Sequence, residues 1–187
     1  MPGTAAVVLA AAFAAAKATG SRMRDQQVVI HGAGTAGIGV ADMMREVMIS
    51  DGLSEQEATG KFWTVDSRGL VTDDSTALRD FQELYARPAA KVASWSRQQD
   101  GPVGLADVVA NAKPTMLMGT STQSGAFTEA SCDRWHRRWI GPSSCRCPTG
   151  RALVGTGRPF LPVSDGRRTY TIAQANNALV FPGSASE

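Results

Sequence analysis

The stretch Gln27–Ala41 constrains the fold of this chain more than any other segment. An apolar run rich in β-branched residues leads into Gly-Ala-Gly-Thr-Ala-Gly at positions 32–37, and a helix-compatible sequence follows. This order predicts a strand, a tight turn and a helix, which is the context of the Gly-x-Gly-x-x-Gly motif of dinucleotide-binding domains. The alternative is a glycine-rich β–α turn that binds no ligand.

Each glycine of this motif has a separate expected role. Gly32 lets the chain turn tightly at the end of the strand, Gly34 leaves space for a pyrophosphate beside bare backbone, and Gly37 lets the helix pack closely on the strand. The pyrophosphate would be held by the free N–H groups of the helix that begins near Thr35.

Length and composition indicate one globular domain. The chain has 187 residues and a formal net charge of +2, so its overall charge does not indicate a nucleic-acid partner. No uncharged apolar run approaches the roughly 20 residues that span a bilayer, so we expect no membrane segment.

The first apolar run is Ala- and Val-rich and covers Thr4–Ala16. Its first basic residue, Lys17, follows the run, whereas a secretory signal has basic residues before its apolar part. Alanine is the best helix former, and Gly20 is suited to end a helix. We therefore predict a buried helix over 4–19 and a cytoplasmic protein, with a signal peptide as the alternative.

The rest of the pattern alternates helices and strands, as in a Rossmann-type, doubly wound α/β sheet. A capping box is predicted at Ser54, with Glu57 three residues later. The predicted strands are 27–31, 61–66, 115–119 and 152–154, and the predicted helices are 36–49, a short one from 54, and 103–112, with a short helix or loop at 81–86.

Polar residues at the ends of two predicted strands are candidates for the dinucleotide site. Asp66 ends the second strand, where an acidic residue holds the adenosine ribose. Arg68 would favour NADP if it points back to a 2′-phosphate, and is otherwise an exposed turn residue. Thr120 and Ser121 follow the buried strand at 115–119, at the edge where open α/β sheets bind ligands.

Seven segments of the chain, in order, resemble the NAD(P)-binding, C-terminal domain of malic enzymes. They are Gly-Thr-Ala-Ala-Val-Val-Leu-Ala at 3–10, Gly-Ala-Gly-Thr-Ala-Gly-Ile-Gly-Val-Ala at 32–41, Val-Asp-Ser-Arg-Gly-Leu at 65–70, Lys-Pro-Thr at 113–115, Gly-Ala-Phe-Thr-Glu at 125–129, Gly-Arg-Ala-Leu-Val-Gly-Thr-Gly at 150–157 and Gln-Ala-Asn-Asn-Ala-Leu-Val-Phe-Pro-Gly at 174–183.

The resemblance implies oxidative decarboxylation of malate to pyruvate with NAD or NADP, a divalent Mg or Mn ion, and homo-oligomers. Asn176 would contact substrate, and Asn177 both substrate and cofactor. Ser67 and Arg68 match a serine and a basic residue common in NADP-using members. The resemblance implies dinucleotide contacts for Gly32, Gly34, Thr35, Ala36, Gly37, Asp66 and Asn177. With the strand-end residues, the full set expected to bind the cofactor is Thr4, Gly32, Gly34, Thr35, Ala36, Gly37, Asp66, Ser67, Arg68, Thr120, Ser121 and Asn177.

The catalytic groups of the family precede the segment that resembles this chain. They are a tyrosine acid, a lysine base, a Glu-Asp pair and a third aspartate that hold the metal. We find no replacement for them, so we assign no catalytic residue and no metal ligand here. We expect this chain alone to be inactive, and a free-standing NAD(P)-binding module with a regulatory role is the alternative.

Residues 130–149 depart from the family, whereas 1–129 and 150–187 match it. The family continues through a helix into a strand ending in an asparagine that touches substrate and cofactor, but this segment has neither helical nor strand periodicity. A nucleotide sequence that encodes Gly141–Thr149 with allowed codons can, when it is read one nucleotide earlier, encode Arg-Pro-Ile-Ile-Leu-Pro-Leu-Ser-Asn, which resembles the missing strand. We interpret the segment as out-of-frame translation followed by a deletion, which leaves the sheet incomplete, with one central strand lost or replaced.

This interpretation also accounts for two apparent motifs. All three cysteines, Cys132, Cys145 and Cys147, lie in the segment, and their spacing is not that of a zinc or redox site. His136 lies among tryptophans and arginines, which resembles a nucleic-acid patch. An accidental reading frame explains the composition more simply, so we predict no nucleic-acid partner.

Overall fold

The elements of the chain follow one another in the alternating order that the sequence predicts. The computed structural model describes residues 2–97 and 101–121, and the short strands at 155–156, 163–164, 169–170 and 173–174. The helices are α1 Pro2–Ala18, α2 Thr35–Ser50, α3 Glu55–Thr59, α4 Asp80–Glu83, α5 Ala89–Val92 and α6 Leu105–Ala112, with a 3₁₀ turn at Met23–Asp25. The strands are β1 Val28–His31, β2 Phe62–Asp66, β3 Gly69–Leu70, β4 Met116–Gly119, β5 Gly155–Thr156, β6 Val163–Ser164, β7 Thr169–Tyr170 and β8 Ala173–Gln174.

The main sheet has four strands in the order β3-β2-β1-β4. Strand β1 runs parallel to both β2 and β4, and Val28 is level with Phe62 on one side and Met116 on the other. Strand β3 is antiparallel to β2. The chain therefore leaves β1 for one neighbour and later returns to its other side, which is the doubly wound topology expected of a Rossmann-like sheet. The described part of this sheet is incomplete.

Helices cover both faces of this sheet, because successive side chains of a strand point to opposite faces. Helices α1 and α2 pack on one face, and α6 packs on the other. The first face contains a buried cluster that includes Val28, Ile30, Phe62, Met44 and Met48. The second contains a cluster that includes Val29, Trp63, Val65, Val108 and Val109. The carboxyl ends of the parallel strands stay open to a ligand between these layers.

The predicted capping box is confirmed at the start of α3. The Ser54 hydroxyl accepts a hydrogen bond from the Glu57 N–H at 3.3 Å, and the Glu57 carboxylate accepts one from the Ser54 N–H at 2.9 Å. The Ser54 hydroxyl also donates to the Glu57 carboxylate, at 2.6 Å, and this bond together with the one from the Ser54 N–H lowers the pKa of Glu57 below its ordinary value. The box ends the connection after α2 and sets the direction in which the chain enters β2.

The first helix matches its predicted extent, but the prediction that it is buried is wrong for one side. Ala5, Ala12 and Ala16 are buried, whereas Phe13 is 43% exposed. The reason is that α1 lies on the outer side of the domain, packed along α2. Within the described residues, no helix is both long and apolar enough to cross a membrane.

Strand β4 occupies its predicted place, but the prediction that it is buried on both faces is also wrong. Its three apolar residues, Met116, Leu117 and Met118, are only partly buried, and Gly119 is exposed. Within the described part of the chain, β4 pairs with β1 alone, so it lies at the edge of the sheet there. The predicted strand at 152–154 and the segment 130–149 lie outside the described residues.

Candidate dinucleotide site

An open cavity of about 500 Å³ lies at the carboxyl ends of the parallel strands. It is next to the point where β1 has β2 on one side and β4 on the other, which is where doubly wound sheets bind their ligands. Its volume falls within the range of sites for small molecules and cofactors. The lining residues are His31, Gly32, Ala33, Gly34, Thr35, Ala36, Asp66, Ser67, Arg68, Ala77, Arg79, Gln82, Thr120 and Ser121.

The three motif glycines differ in what surrounds them, as the sequence predicts. A Cβ atom on Gly32, which has φ +114°, would lie 2.6 Å from the Ser121 nitrogen, and one on Gly37 would lie 2.1 Å from the Gly32 carbonyl oxygen. A Cβ on Gly34 would have no atom within 4 Å. The first and third glycines therefore permit close backbone packing, whereas the second faces open space that a ligand can fill.

Hydrogen bonds from the ends of β2 and β4 hold the turn between β1 and α2, residues 32–34, which we call the glycine turn. The Val65 carbonyl accepts hydrogen bonds from the N–H groups of Gly32 at 2.7 Å and Ala33 at 3.2 Å. The Thr120 hydroxyl donates to the Gly32 carbonyl at 2.9 Å, and the Thr120 N–H donates to the His31 carbonyl at 2.9 Å. Thr120 therefore joins the end of β4 to the turn, and its role here is partly structural.

Helix α2 starts at this turn and directs its N-terminus to the cavity. Gly34 is the N-cap residue, and its carbonyl accepts the first intrahelical bond from the Ile38 N–H at 2.9 Å. The first turn contains no acidic residue, and Thr35 and Ala36 line the cavity. The unpaired N–H groups and the positive end of the helix dipole can therefore attract an anionic group.

Asp66 and Arg68 form an ion pair at the other side of the cavity. The Asp66 carboxylate accepts hydrogen bonds from the Arg68 N–H at 2.7 Å and from its guanidinium at 2.8 Å. The Asp66 side chain is 18% exposed and that of Arg68 is 51% exposed. Arg68 therefore points back to the site, while half of its surface faces solvent. Such an ion pair is worth only about 0–1 kcal/mol, so a ligand can replace it.

His31 is a buried residue at the end of β1 and lines the same cavity. Burial lowers the pKa of its imidazole, and the nearby Asp66 carboxylate offsets this only in part. The imidazole is therefore mainly neutral at neutral pH. The cavity thus has a neutral group beside the glycine turn and a carboxylate farther along its wall.

The sequence analysis did not assign five residues of the cavity wall to the site, namely His31, Ala33, Ala77, Arg79 and Gln82, and the last two lie at α4. Gln82 of α4 is 2% exposed, and its amide donates to the Ala33 carbonyl at 2.6 Å. Arg79 precedes α4 and is exposed, with its guanidinium 5.9 Å from the centre of the Phe81 ring. No local pattern in the sequence distinguishes these two residues, because tertiary packing alone brings α4 to the glycine turn.

Several other predicted residues do not line this cavity or lie outside the described residues. Thr4 lies in the first turn of α1. Asn176, Asn177, His136 and the three cysteines lie outside the described residues. In the described part of the chain, no three His, Cys, Asp or Glu side chains come together as a group that could hold a metal ion. The described residues therefore fit a dinucleotide but do not fit the divalent metal of the family.

Solved structures of malic enzymes share the fold of this chain. The malic enzyme of Entamoeba histolytica matches with a TM-score of 0.59 and 18% identity, over 98% of this chain and 35% of that chain. The NAD-dependent malic enzyme of Thermotoga maritima matches with a TM-score of 0.59 and 20% identity, over 98% of this chain and 44% of that chain. At these identities the likeness concerns the fold alone.

Sequence comparison gives the family. The family model described as malic enzyme, NAD binding domain, matches residues 1–138 and 142–186. NAD-dependent malic enzyme 3 of Bacillus subtilis is 48% identical over 199 aligned positions, which cover 97% of this chain and 35% of that protein. The NAD-dependent malic enzyme of Sodalis glossinidius is 42% identical, over 97% of this chain and 35% of its own length. The chain thus spans about a third of these relatives, and it belongs to the malic enzyme family as an NAD-binding domain.

Proposed function

We propose that the cavity binds NAD with its pyrophosphate at the N-terminus of α2 and its adenosine ribose at Asp66. The contrast between Gly34 and Gly37 carries this proposal: a side chain at Gly34 would enter open space, whereas one at Gly37 would collide with the turn. This is the division of roles that a dinucleotide requires of the second and third glycines. Thr35 and Ala36 would contribute backbone N–H groups to the pyrophosphate.

The remaining contacts follow the resemblance to the family. Thr120 and Ser121 would border the cofactor from the end of β4, and Ser67 would border the ribose beside Asp66. Thr4 would contribute from α1. Asn176 would contact substrate, and Asn177 both substrate and the nicotinamide.

We propose that this domain serves the oxidative decarboxylation of malate to pyruvate within a longer malic enzyme. The relatives named above support this role, since both are NAD-dependent malic enzymes. Bound NAD would supply a hydride acceptor, and the residues of this chain would hold and orient it. The Mg or Mn ion of the family would need ligands from elsewhere, so the 187-residue chain alone should not turn malate over. We further propose a cytoplasmic location and homo-oligomers, as expected for the family.

NAD is the cofactor named for the relatives, and NADP is the alternative for this chain. Arg68 supports the alternative, because its guanidinium lies beside the carboxylate that would hold the ribose. A 2′-phosphate would bring negative charge close to Asp66 but would gain a contact with Arg68. Asp66 should therefore favour binding of NAD, whereas Arg68 should favour binding of NADP.

Calorimetric titration of the 187-residue chain with NAD⁺ and NADP⁺ tests both proposals. Asp66→Ala should weaken NAD⁺ about tenfold or more, since it removes the charged acceptor of the ribose hydroxyls. Arg68→Ala should weaken NADP⁺ much more than NAD⁺ if NADP is a natural ligand. Equal losses for both cofactors would rule out a role of Arg68 in recognising the 2′-phosphate.

The Arg22–Asp25 pair provides a matched control. It is also an Arg–Asp ion pair, at 3.1 Å, but it is more exposed and lies at the 3₁₀ turn and not in the cavity wall. Asp25→Ala and Arg22→Ala should leave the affinity for both cofactors unchanged. Unchanged affinity in Asp66→Ala as well would overturn the proposed site.

We also propose that residues 130–149 arose by out-of-frame translation followed by a deletion. The alignment with the Bacillus subtilis protein has 199 positions for 97% of the 187 residues of this chain, so it contains gaps, as a deletion anywhere in the aligned region would produce. The family match omits only 139–141 of this segment and includes 130–138 and 142–149, so its support for the proposal is limited to those three positions. Genomic DNA across codons 129–150 is the test, and a reading frame that codes for family-like sequence only after one nucleotide is shifted is the expected result.

A further inference from the structure

Gln82 is a buried polar residue whose amide contacts the glycine turn and not another side chain of its own helix. Its side chain is 2% exposed and lines the cavity. The amide nitrogen donates to the Ala33 carbonyl at 2.6 Å, and the amide oxygen accepts from the Arg79 N–H at 3.1 Å. Both contacts require the same orientation of the amide, because a carbonyl needs the nitrogen end and an N–H needs the oxygen end.

The carbonyl that Gln82 occupies is the one that would otherwise extend helix α2 by one residue. In an α-helix each N–H donates to the carbonyl four residues earlier, so the acceptor for the Gly37 N–H would be Ala33. The first intrahelical bond that forms is instead from Ile38 to Gly34, at 2.9 Å. The Ala33 carbonyl is turned to Gln82, and its orientation also fixes the Gly34 N–H, since the two groups share one planar peptide.

We propose that Gln82 is a positioning residue for the cofactor: by holding the Ala33 carbonyl outside α2, it keeps the first N–H groups of that helix directed to the pyrophosphate. The inference rests on the proposed NAD site and adds a residue from α4 to it. Gln82 acts through the backbone at 33–37, so its loss should weaken a bound pyrophosphate even when the domain stays folded.

The test uses Gln82→Leu, which removes the amide, and Tyr85→Phe as a matched control. Tyr85 is also buried, lies two residues after α4, and its hydroxyl donates a hydrogen bond to Asp42 of α2 at 2.8 Å. In calorimetric titrations with NAD⁺, the dissociation constant should rise about tenfold for Gln82→Leu, because the released Ala33–Gly34 peptide must return to its binding orientation before the pyrophosphate can be held. It should stay unchanged for Tyr85→Phe, even if the fraction of binding-competent protein falls in both.

A second variant, Gln82→Glu, separates positioning from folding. Its ionised carboxylate cannot donate to the Ala33 carbonyl, whereas its protonated form can, and burial raises the pKa of such a carboxyl group. The dissociation constant of this variant, divided by that of the parent at each pH, should fall towards one as the pH is lowered from neutral to about 5. The same ratio for Gln82→Leu should not change with pH.

The outcomes distinguish this inference from the site on which it rests. If the soluble, folded fraction of the parent chain binds no NAD⁺, both are wrong. If the parent binds and Gln82→Leu loses binding-competent protein but keeps the parental dissociation constant, Gln82 is only structural and the proposed site stands. A Gln82→Glu variant whose affinity ratio does not depend on pH would also contradict the positioning role.

Discussion

Alanine substitutions at Gly37 and Gly34 should affect different properties: the first should lower the stability of the fold, and the second should weaken the binding of NAD⁺. A Cβ atom at Gly37 would lie 2.1 Å from the Gly32 carbonyl oxygen and 2.6 Å from the Thr120 hydroxyl, whereas one at Gly34 would meet no atom within 4 Å. Gly37→Ala should therefore destabilise the fold. Gly34→Ala should leave the fold nearly intact but weaken NAD⁺, because its methyl group enters the space assigned to the pyrophosphate.

The size of the effect at Gly37 follows from two opposing contributions. Alanine gains about 1 kcal/mol over glycine within a helix, whereas overpacking costs about 1–3 kcal/mol or more. The obstructing atom is a backbone oxygen of a turn that Val65 and Thr120 hold by hydrogen bonds, so it cannot move aside easily. We expect a net loss of about 2 kcal/mol, which lowers Tm by about 4–8 °C in a domain of this size.

The free-energy change at Gly34 should be smaller. Alanine is a poorer N-cap residue than glycine, but it also reduces the freedom of the unfolded chain, and the two contributions are each about 1 kcal/mol or less. The φ of Gly34 is −84°, which alanine adopts without strain. The expected change in Tm is therefore within about 4 °C.

Thermal unfolding and NAD⁺ titration of the two variants provide the measurements. Tryptophan fluorescence is a suitable probe of unfolding, because Trp63 of β2 is 5% exposed and packs on Trp95. A Gly37→Ala variant that unfolds at the parental temperature would refute the close packing of turn and helix. A Gly34→Ala variant with parental affinity would refute the approach of the pyrophosphate to that residue.

The remaining predictions concern catalysis, pH and the segment 130–149. The purified 187-residue chain should form no detectable NADH from malate with Mn²⁺ at any pH from mildly acid to alkaline, because loss of a general base alone costs about 10²–10⁴-fold; turnover after removal of host enzyme would contradict this. The buried His31 has a lowered pKa, so the unfolded chain binds a proton more readily and the fold should lose stability as the pH falls below about 6.5. His31→Gln should reduce this loss in urea unfolding, and Glu57→Gln is a control, because the pKa of Glu57 is also lowered. The chain as it stands should aggregate, and restoring family-like sequence across 130–149 should raise soluble yield and NAD⁺ affinity together; no change in either would contradict the out-of-frame interpretation.

The parts of the fold that the sequence predicted well depend on local signals. Helix α2 and the Ser54 capping box lie within one or two residues of their predicted positions, since periodicity and capping are read from neighbouring residues. Strand β3 was missed, because it has two residues and depends on a remote contact: the Leu70 N–H donates to the Val103 carbonyl at 2.8 Å. The burial of β4 was wrong for a similar reason, as it depends on which strands lie beside it.

The candidate site divides in the same way. Gly32, Asp66 and Thr120 were predicted from motifs at strand ends, and they line one cavity because parallel strands bring their carboxyl ends together. Gln82 was not predictable, since a glutamine in a four-residue helix has no spacing that indicates a contact with Ala33. Assignment of these residues to the cofactor stays a prediction until binding is measured.

The hydrogen bonds that hold the glycine turn join residues that are far apart along the chain, and this affects when the site can form. Gln82 is 49 residues from Ala33, and Thr120 is 88 residues from Gly32. During synthesis the N-terminal helices and the first two parallel strands can begin to pack as they leave the ribosome. The turn acquires its last support only when Thr120 emerges and β4 closes a long loop beside β1, a step with a substantial entropic cost. A growing chain should therefore become able to retain the dinucleotide late, after most of its core has already formed.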